Sequence, residues 1–184
     1  MRGWLTPPNL ISILRICAAP WLGWELAEGN FRIALPLLLL VALSDALDGY
    51  LARHFNWKSE LGEKLDPLAD KILAATLYIC FSWQGMLSWG LTALVLGRDA
   101  MILGLAALGL TSGRARRFPP SIWGKLSTVC QLTLAAACVL RAGWHDLPPQ
   151  QLFTALVWAV VVTTAWSGVH YLWKAVRVLR SDHH

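Results

Sequence analysis

Apolar residues run along this chain in six long stretches, about 8–27, 31–53, 63–84, 88–111, 120–142 and 150–175. Each is close to the roughly 20 residues of helix that cross a hydrocarbon core. Turn residues separate them. Pro7-Pro8 opens the first, Gly29-Asn30 precedes the second, Gly113 follows the fourth, and Pro119-Pro120 and Pro148-Pro149 open the fifth and sixth. The continuous alternation of a β-barrel is absent, and backbone polar groups in hydrocarbon must be satisfied within their own segment, so the stretches are predicted as helices. The expectation is an all-α integral membrane protein with six transmembrane helices in a single domain over residues 1–184.

Composition moves the picture in the same direction. The 184 residues are 56% hydrophobic and 15% charged, with a mean hydropathy of +0.49, whereas soluble domains carry about 25% charged residues. A soluble globule, a disordered chain, a coiled coil and a disulfide scaffold are excluded by these values. Cys17, Cys80, Cys130 and Cys138 lie in apolar stretches without ligand spacing and are expected to be small core fillers. The first stretch contains Arg15 and Glu25, which argues against a cleavable leader.

Charge then sets the sidedness. Ten basic residues flank the stretches on the side of the termini: Arg2, Arg53, Lys58, Lys64, Arg114, Arg116, Arg117, Lys174, Arg177 and Arg180. Two, Arg32 and Arg141, flank them on the other side. This predicts cytoplasmic termini in a multi-pass protein of the cell inner or plasma membrane. The net charge of +5 is accounted for by topology and by anionic lipid headgroups, so no nucleic-acid partner is implied. Trp4, Trp57, Trp83, Trp89 and Trp144 fall near predicted span ends, as interfacial belts require.

A second set of ionisable residues lies within the stretches or at their ends: Arg15, Glu25, Asp45, Asp48, Asp66, Asp70, Lys71, Arg98, Asp99 and Lys125. One carboxylate at mid-helix costs about 2.5–3.5 kcal/mol on insertion scales, so four in neighbouring helices need compensation. Asp45 and Asp48 are three residues apart and Asp66 and Asp70 four apart, so each pair shares a helix face. Cations between the two faces would relieve the repulsion, and hard oxygen ligands suit Mg²⁺ or Mn²⁺. Salt bridges to Arg53, Lys71, Arg98 or Lys125 are the structural alternative.

From Asp45 to Asp70 the chain reads D-x2-D-G-x2-A-R-x8-G-x3-D-x3-D, which resembles the signature of the CDP-alcohol phosphotransferase family at every fixed position. The resemblance implies a six-helix membrane enzyme, usually a homodimer, that moves a substituted phosphoryl group from a CDP-linked donor to an alcohol and releases CMP. It implies two divalent ions on Asp45, Asp48 and Asp66. Asp70 would be the base that takes the acceptor's proton while lying near a metal. Asp45, Gly49, Ala52, Arg53 and Gly62 would line the CDP site. Lys71 projects about 100° round the helix from Asp70 and reads as a counter-ion or headgroup contact.

The likeness extends over almost the whole chain. Pro8-Asn9-Leu10, Arg15, Pro20, the run Leu65–Lys71, Arg98-Asp99 and Gly124-Lys125 through Thr128 to Gln131 resemble the branch that makes phosphatidylglycerophosphate and cardiolipin. The expected donor is CDP-diacylglycerol. Phe118–Ser121 and Thr163-Thr164, near a basic C-terminal helix, resemble the cardiolipin-forming members more closely, which implies phosphatidylglycerol ahead of glycerol-3-phosphate as acceptor. Arg98, Lys125 and Arg15 are the candidate acceptor contacts. For Arg98 an ion pair with Asp99 is the alternative, and for Arg15 snorkelling to the interface. A divalent-cation transporter is the rival from another class, but no second carboxylate set continues a path across the membrane. A non-enzymatic scaffold would be expected to have lost an aspartate, and all four are present.

Overall fold

The computed structural model describes residues 7–54, 60–111, 121–144 and 147–180. The side chains at 7–12, 42, 45–54, 60–67, 106, 108–111, 176 and 178–180 lie outside that description. Six helices follow one another: α1 (Pro7–Ala27), α2 (Phe31–His54), α3 (Glu60–Trp83), α4 (Trp89–Thr111), α5 (Ile122–Gly143) and α6 (Gln150–Arg180). No strand occurs among the described residues. The boundaries follow the sequence punctuation, except that α3 begins three residues earlier than expected and α6 runs five residues further.

The chain divides into two compact units. One holds α1, α2, α3 and the last part of α5; the other holds α4, the first part of α5 and α6.

In the first unit α1 and α3 lie parallel. Arg15 meets Asp70, Gly23 meets Thr76 and Cys80, and the Gln84 amide donates to the Leu26 carbonyl. A Cβ at Gly23 would stand 2.7 Å from Thr76 Cγ2, so a glycine is what lets the two backbones come this close. Ala19, Leu22 and Leu26 of α1 and Ala69, Leu73, Leu77 and Phe81 of α3 are buried at three- and four-residue spacing, the apolar stripe of packed helices.

Two helices of this unit end in the same way. The Gly29 amide donates to Leu26 and the Asn30 amide to Glu25; the Gly85 amide donates to Ser82 and the Met86 amide to Phe81. Both glycines have positive φ, 78° and 73°, which completes a Schellman cap on each helix. Glu25 is held in place here, accepting from Trp21 Nε1 and Asn30 Nδ2 at 3.0 Å each.

In the second unit α4 packs on α6, and α5 runs antiparallel to α6, with Ser121 at Tyr171 and Ser127 at Thr164. The Ser88 hydroxyl accepts from the Leu91 amide and caps α4.

Among the described residues, Ile122–Gly143 and Gln150–Ala175 are long and apolar enough to cross a membrane, with mean hydropathies of 1.4 and 1.8. Every tryptophan with a described side chain is exposed, from Trp123 at 41% to Trp83 at 82%. Trp83 ends α3, Trp89 begins α4 and Trp144 follows α5, while Trp4 and Trp57 lie outside the described residues. So much outward-facing aromatic surface would drive association in water and suits contact with lipid. The cysteines do not share one environment. Cys138 is a buried filler as expected, but Cys17 is exposed and lines a groove between α1 and α2.

Candidate active site

The signature occupies the last turns of α2 and the first turns of α3. Asp45, Asp48, Gly49, Ala52 and Arg53 fall within Phe31–His54, and Gly62, Asp66 and Asp70 within Glu60–Trp83. Both segments are helical throughout, so Asp45 with Asp48, and Asp66 with Asp70, share a helix face as their spacing requires. The helices are joined by residues 55–59 alone. The side chains of Asp45, Asp48, Gly49, Ala52, Arg53, Gly62 and Asp66 lie outside the described residues.

Asp70 is described, and it has a partner the sequence did not name. Arg15 of α1 donates through Nη1 to Asp70 Oδ1 at 2.5 Å. The guanidinium side chain is 3% exposed and the carboxylate 46%. A charge-assisted bond of this kind fixes the orientation of both groups, and the exposed part of Asp70 is left facing outward from the α1–α3 contact. Arg15, read as a snorkelling residue or an acceptor contact, is thus in place beside the fourth aspartate.

The other two candidate acceptor contacts belong to the second unit. Arg98 is buried, and its guanidinium is bonded on every nitrogen. Nε and Nη2 donate to Ser167 Oγ at 3.2 and 2.7 Å, Nη1 to Asp99 Oδ1 at 2.7 Å, and Nη2 also approaches the Gly124 carbonyl at 3.4 Å. The ion pair with Asp99, the alternative reading of this residue, is present. Lys125 follows Gly124 on α5 and is exposed. A Cβ at Gly124 would lie 3.1 Å from Arg98 Nη2 and 3.3 Å from the Tyr171 hydroxyl, so the glycine makes room for both.

Around Arg98 runs a seam of further polar residues. Ser127 Oγ and Thr164 Oγ1 are 3.1 Å apart, and Gln131 Nε2 donates to both at 3.2 and 3.3 Å. The Ser121 amide donates to the Tyr171 hydroxyl at 2.9 Å, and Ser121 Oγ lies 3.2 Å from His170 Nδ1. Sequence reasoning met Gln131 and Thr164 only as points of likeness. The available signal was the spacing of Ser127 with Gln131, and of Thr164 with Ser167 and Tyr171, at helical intervals in otherwise apolar runs.

The family model for CDP-alcohol phosphatidyltransferase matches residues 5–166, which include the whole signature. The chain belongs to this family. A cardiolipin synthase (CMP-forming) of Rattus norvegicus is 33% identical over 195 residues, covering 95% of this chain and 64% of the relative. A chloroplastic CDP-diacylglycerol–glycerol-3-phosphate 3-phosphatidyltransferase 1 of Oryza sativa subsp. japonica is 34% identical, covering 91% and 56%. The chain therefore spans less than two thirds of the length of these two relatives. The CDP-diacylglycerol–glycerol-3-phosphate 3-phosphatidyltransferase of Aquifex aeolicus is 31% identical, covering 94% of this chain and 97% of its own. The family is one of enzymes that transfer phosphatidyl groups. The similar proteins bear names from both the cardiolipin and the phosphatidylglycerophosphate branches.

Proposed function

We propose that this protein transfers a phosphatidyl group from CDP-diacylglycerol to the hydroxyl of a glycerol-type acceptor, releasing CMP. The observation that carries the reading is the unbroken signature from Asp45 to Asp70 in a chain matched by the family model over residues 5–166. The protein would cross the membrane six times, as a homodimer, with its termini and active site on the cytoplasmic side.

Asp45, Asp48, Asp66 and Asp70 would supply the oxygen-only donor set that Mg²⁺ or Mn²⁺ prefers, and the family resemblance implies two such ions. When bound, the ions would neutralise the donor's diphosphate and the charge that develops on departing CMP. Gly49, Ala52, Arg53 and Gly62, with Asp45, would line the CDP site. Asp70 would accept the acceptor's proton, which requires hydrogen-bond reach of the hydroxyl. The half-exposed carboxylate, held by Arg15, supports this role. Of the candidate acceptor contacts, Arg15 stands beside Asp70, while the donors of Arg98 are already engaged inside the second unit.

Phosphatidylglycerol is the first acceptor and glycerol-3-phosphate the second, the latter favoured by the full-length match to the Aquifex aeolicus protein. Purified protein with labelled CDP-diacylglycerol is offered each acceptor separately. Cardiolipin formed from phosphatidylglycerol supports the first choice, and phosphatidylglycerophosphate formed only from glycerol-3-phosphate decides for the second. Transfer to serine or inositol phosphate instead would overturn both.

A further inference from the structure

We propose that the groove between α1 and α2 holds one acyl chain of a phospholipid acceptor, with that lipid's phosphate at Arg15 and its headgroup hydroxyl at Asp70. The inference rests on the phosphatidyl-transfer reading and assigns its acceptor to the lipid class.

The groove has a volume of about 350 Å³, within the range of small-molecule sites. Leu14, Ala18 and Trp21 of α1 form one wall and Leu37 and Val41 of α2 the other. From Leu14 to Trp21 the wall is about 10 Å long at 1.5 Å per residue. An occupant with hydrogen-bonding groups along this length would leave them unpaired at a cost of a few kcal/mol each. An alkyl chain has none.

The groove is polar at one end only. α1 and α2 are antiparallel about the Gly29 turn, so Leu37 stands level with Trp21, and Ser44 stands level with Arg15. Arg15 and Ser44 both line this end. Ser44 directly precedes Asp45, the first aspartate of the signature. A chain lying in the groove therefore delivers its head to the site, where a guanidinium suits a phosphodiester. Asp70, bonded to Arg15, is the neighbouring carboxylate for a hydroxyl. Cation and carboxylate side by side match a glycerol headgroup, which carries phosphate at one end and a primary hydroxyl at the other. The donor's diphosphate would take its own place among the signature aspartates, and the acceptor's phosphate would share Arg15 with Asp70. Glycerol-3-phosphate offers a phosphomonoester and a hydroxyl but no chain to fill the walls.

The test uses the purified full chain in phosphatidylcholine nanodiscs with phosphatidylglycerol carrying a diazirine in one acyl chain. Light-induced adducts are mapped by mass spectrometry. Labelling should fall on residues 14–21 and 37–44, and excess phosphatidylglycerol, but not glycerol-3-phosphate, should compete it away. Ala18→Phe, which fills the groove, should lower this labelling and raise the KM for phosphatidylglycerol by about tenfold or more, with the KM for CDP-diacylglycerol unchanged. Leu37→Trp repeats the filling from the opposite wall should the first variant fold poorly. Competition by CDP-diacylglycerol but not by phosphatidylglycerol would give the groove to the donor and overturn the proposal. Labelling indifferent to both filling variants would do the same, as would labelling outside these segments. If the groove stays unlabelled while CMP is released with glycerol-3-phosphate, the groove assignment fails and phosphatidyl transfer stands. Groove labelling without CMP release from any acceptor would overturn the transfer reading on which the acceptor assignment rests.

Discussion

In the unit built on α1–α3, Arg15 at 3% exposure holds a carboxylate that is 46% exposed. In the unit built on α4 and α6, Arg98 and Asp99 are both 5% exposed, and the guanidinium is bonded to Asp99, Ser167 and Gly124. The first pair has one member facing outward beside an apolar groove. The second is closed on itself within a seam of hydroxyl and amide groups. Ion pairs within the apolar helices therefore serve two purposes in this fold. An enclosed pair, tied to a second helix through Ser167, acts as polar glue between helices. The half-exposed pair holds one carboxylate in a fixed place at the surface of its unit, where the proposed function would use it.

If that contrast is right, the largest stability loss should come from the second unit. Arg98→Met removes one partner of a buried ion pair and should cost about 3–5 kcal/mol, read as a fall in the melting temperature of detergent-purified protein. The KM for the acceptor should change little in whatever fraction folds. A stable Arg98→Met protein with a selectively raised acceptor KM would return Arg98 to the site and erase the contrast.

A smaller effect is expected at the turn after α3. Gly85→Ala places a Cβ at a φ of 73° and should destabilise by about 1–2 kcal/mol. It leaves both polar clusters intact, so the shape of the substrate dependence should not change. Smaller still is Ser127→Ala, which removes one link between α5 and α6 and should cost about 0.6 kcal/mol, the average for such bonds between membrane helices. A loss several times larger would show that the seam acts as a single cooperative network.

Much of this was legible in the sequence. Helix ends followed proline and glycine because those residues remove a donor or admit positive φ, as at Gly29. The far end of α6 was not legible. Lys174, Arg177 and Arg180 end the hydropathic stretch, but they do not end the helix, and Arg177 continues it by stacking 3.5 Å over the Trp173 ring. The four aspartates stood out in the sequence by their spacing and their likeness to the family signature, and they fall on α2 and α3. Arg15 was visible as an anomaly, but its partner lies 55 residues away. That pairing depends on the register of α1 against α3, which packing at Gly23 and Thr76 sets. The seam of Ser127, Gln131, Thr164 and Ser167 escaped because uncharged polar residues barely lower the hydropathy of a helix, and their meaning appears only when three helices are brought together.

The central claim is that the carboxylates at the α2–α3 junction do the chemistry. It is tested most directly by CMP release from CDP-diacylglycerol, measured for the native chain and for Asp48→Asn with melting temperatures recorded in parallel. The native protein should release CMP only with Mg²⁺ or Mn²⁺ and a glycerol-type acceptor present. Asp48→Asn should lose more than about a thousandfold in rate, since several kcal/mol of charge stabilisation goes with the carboxylate, while melting close to the native temperature in the absence of metal. Undiminished CMP release by a folded Asp48→Asn protein would contradict the account.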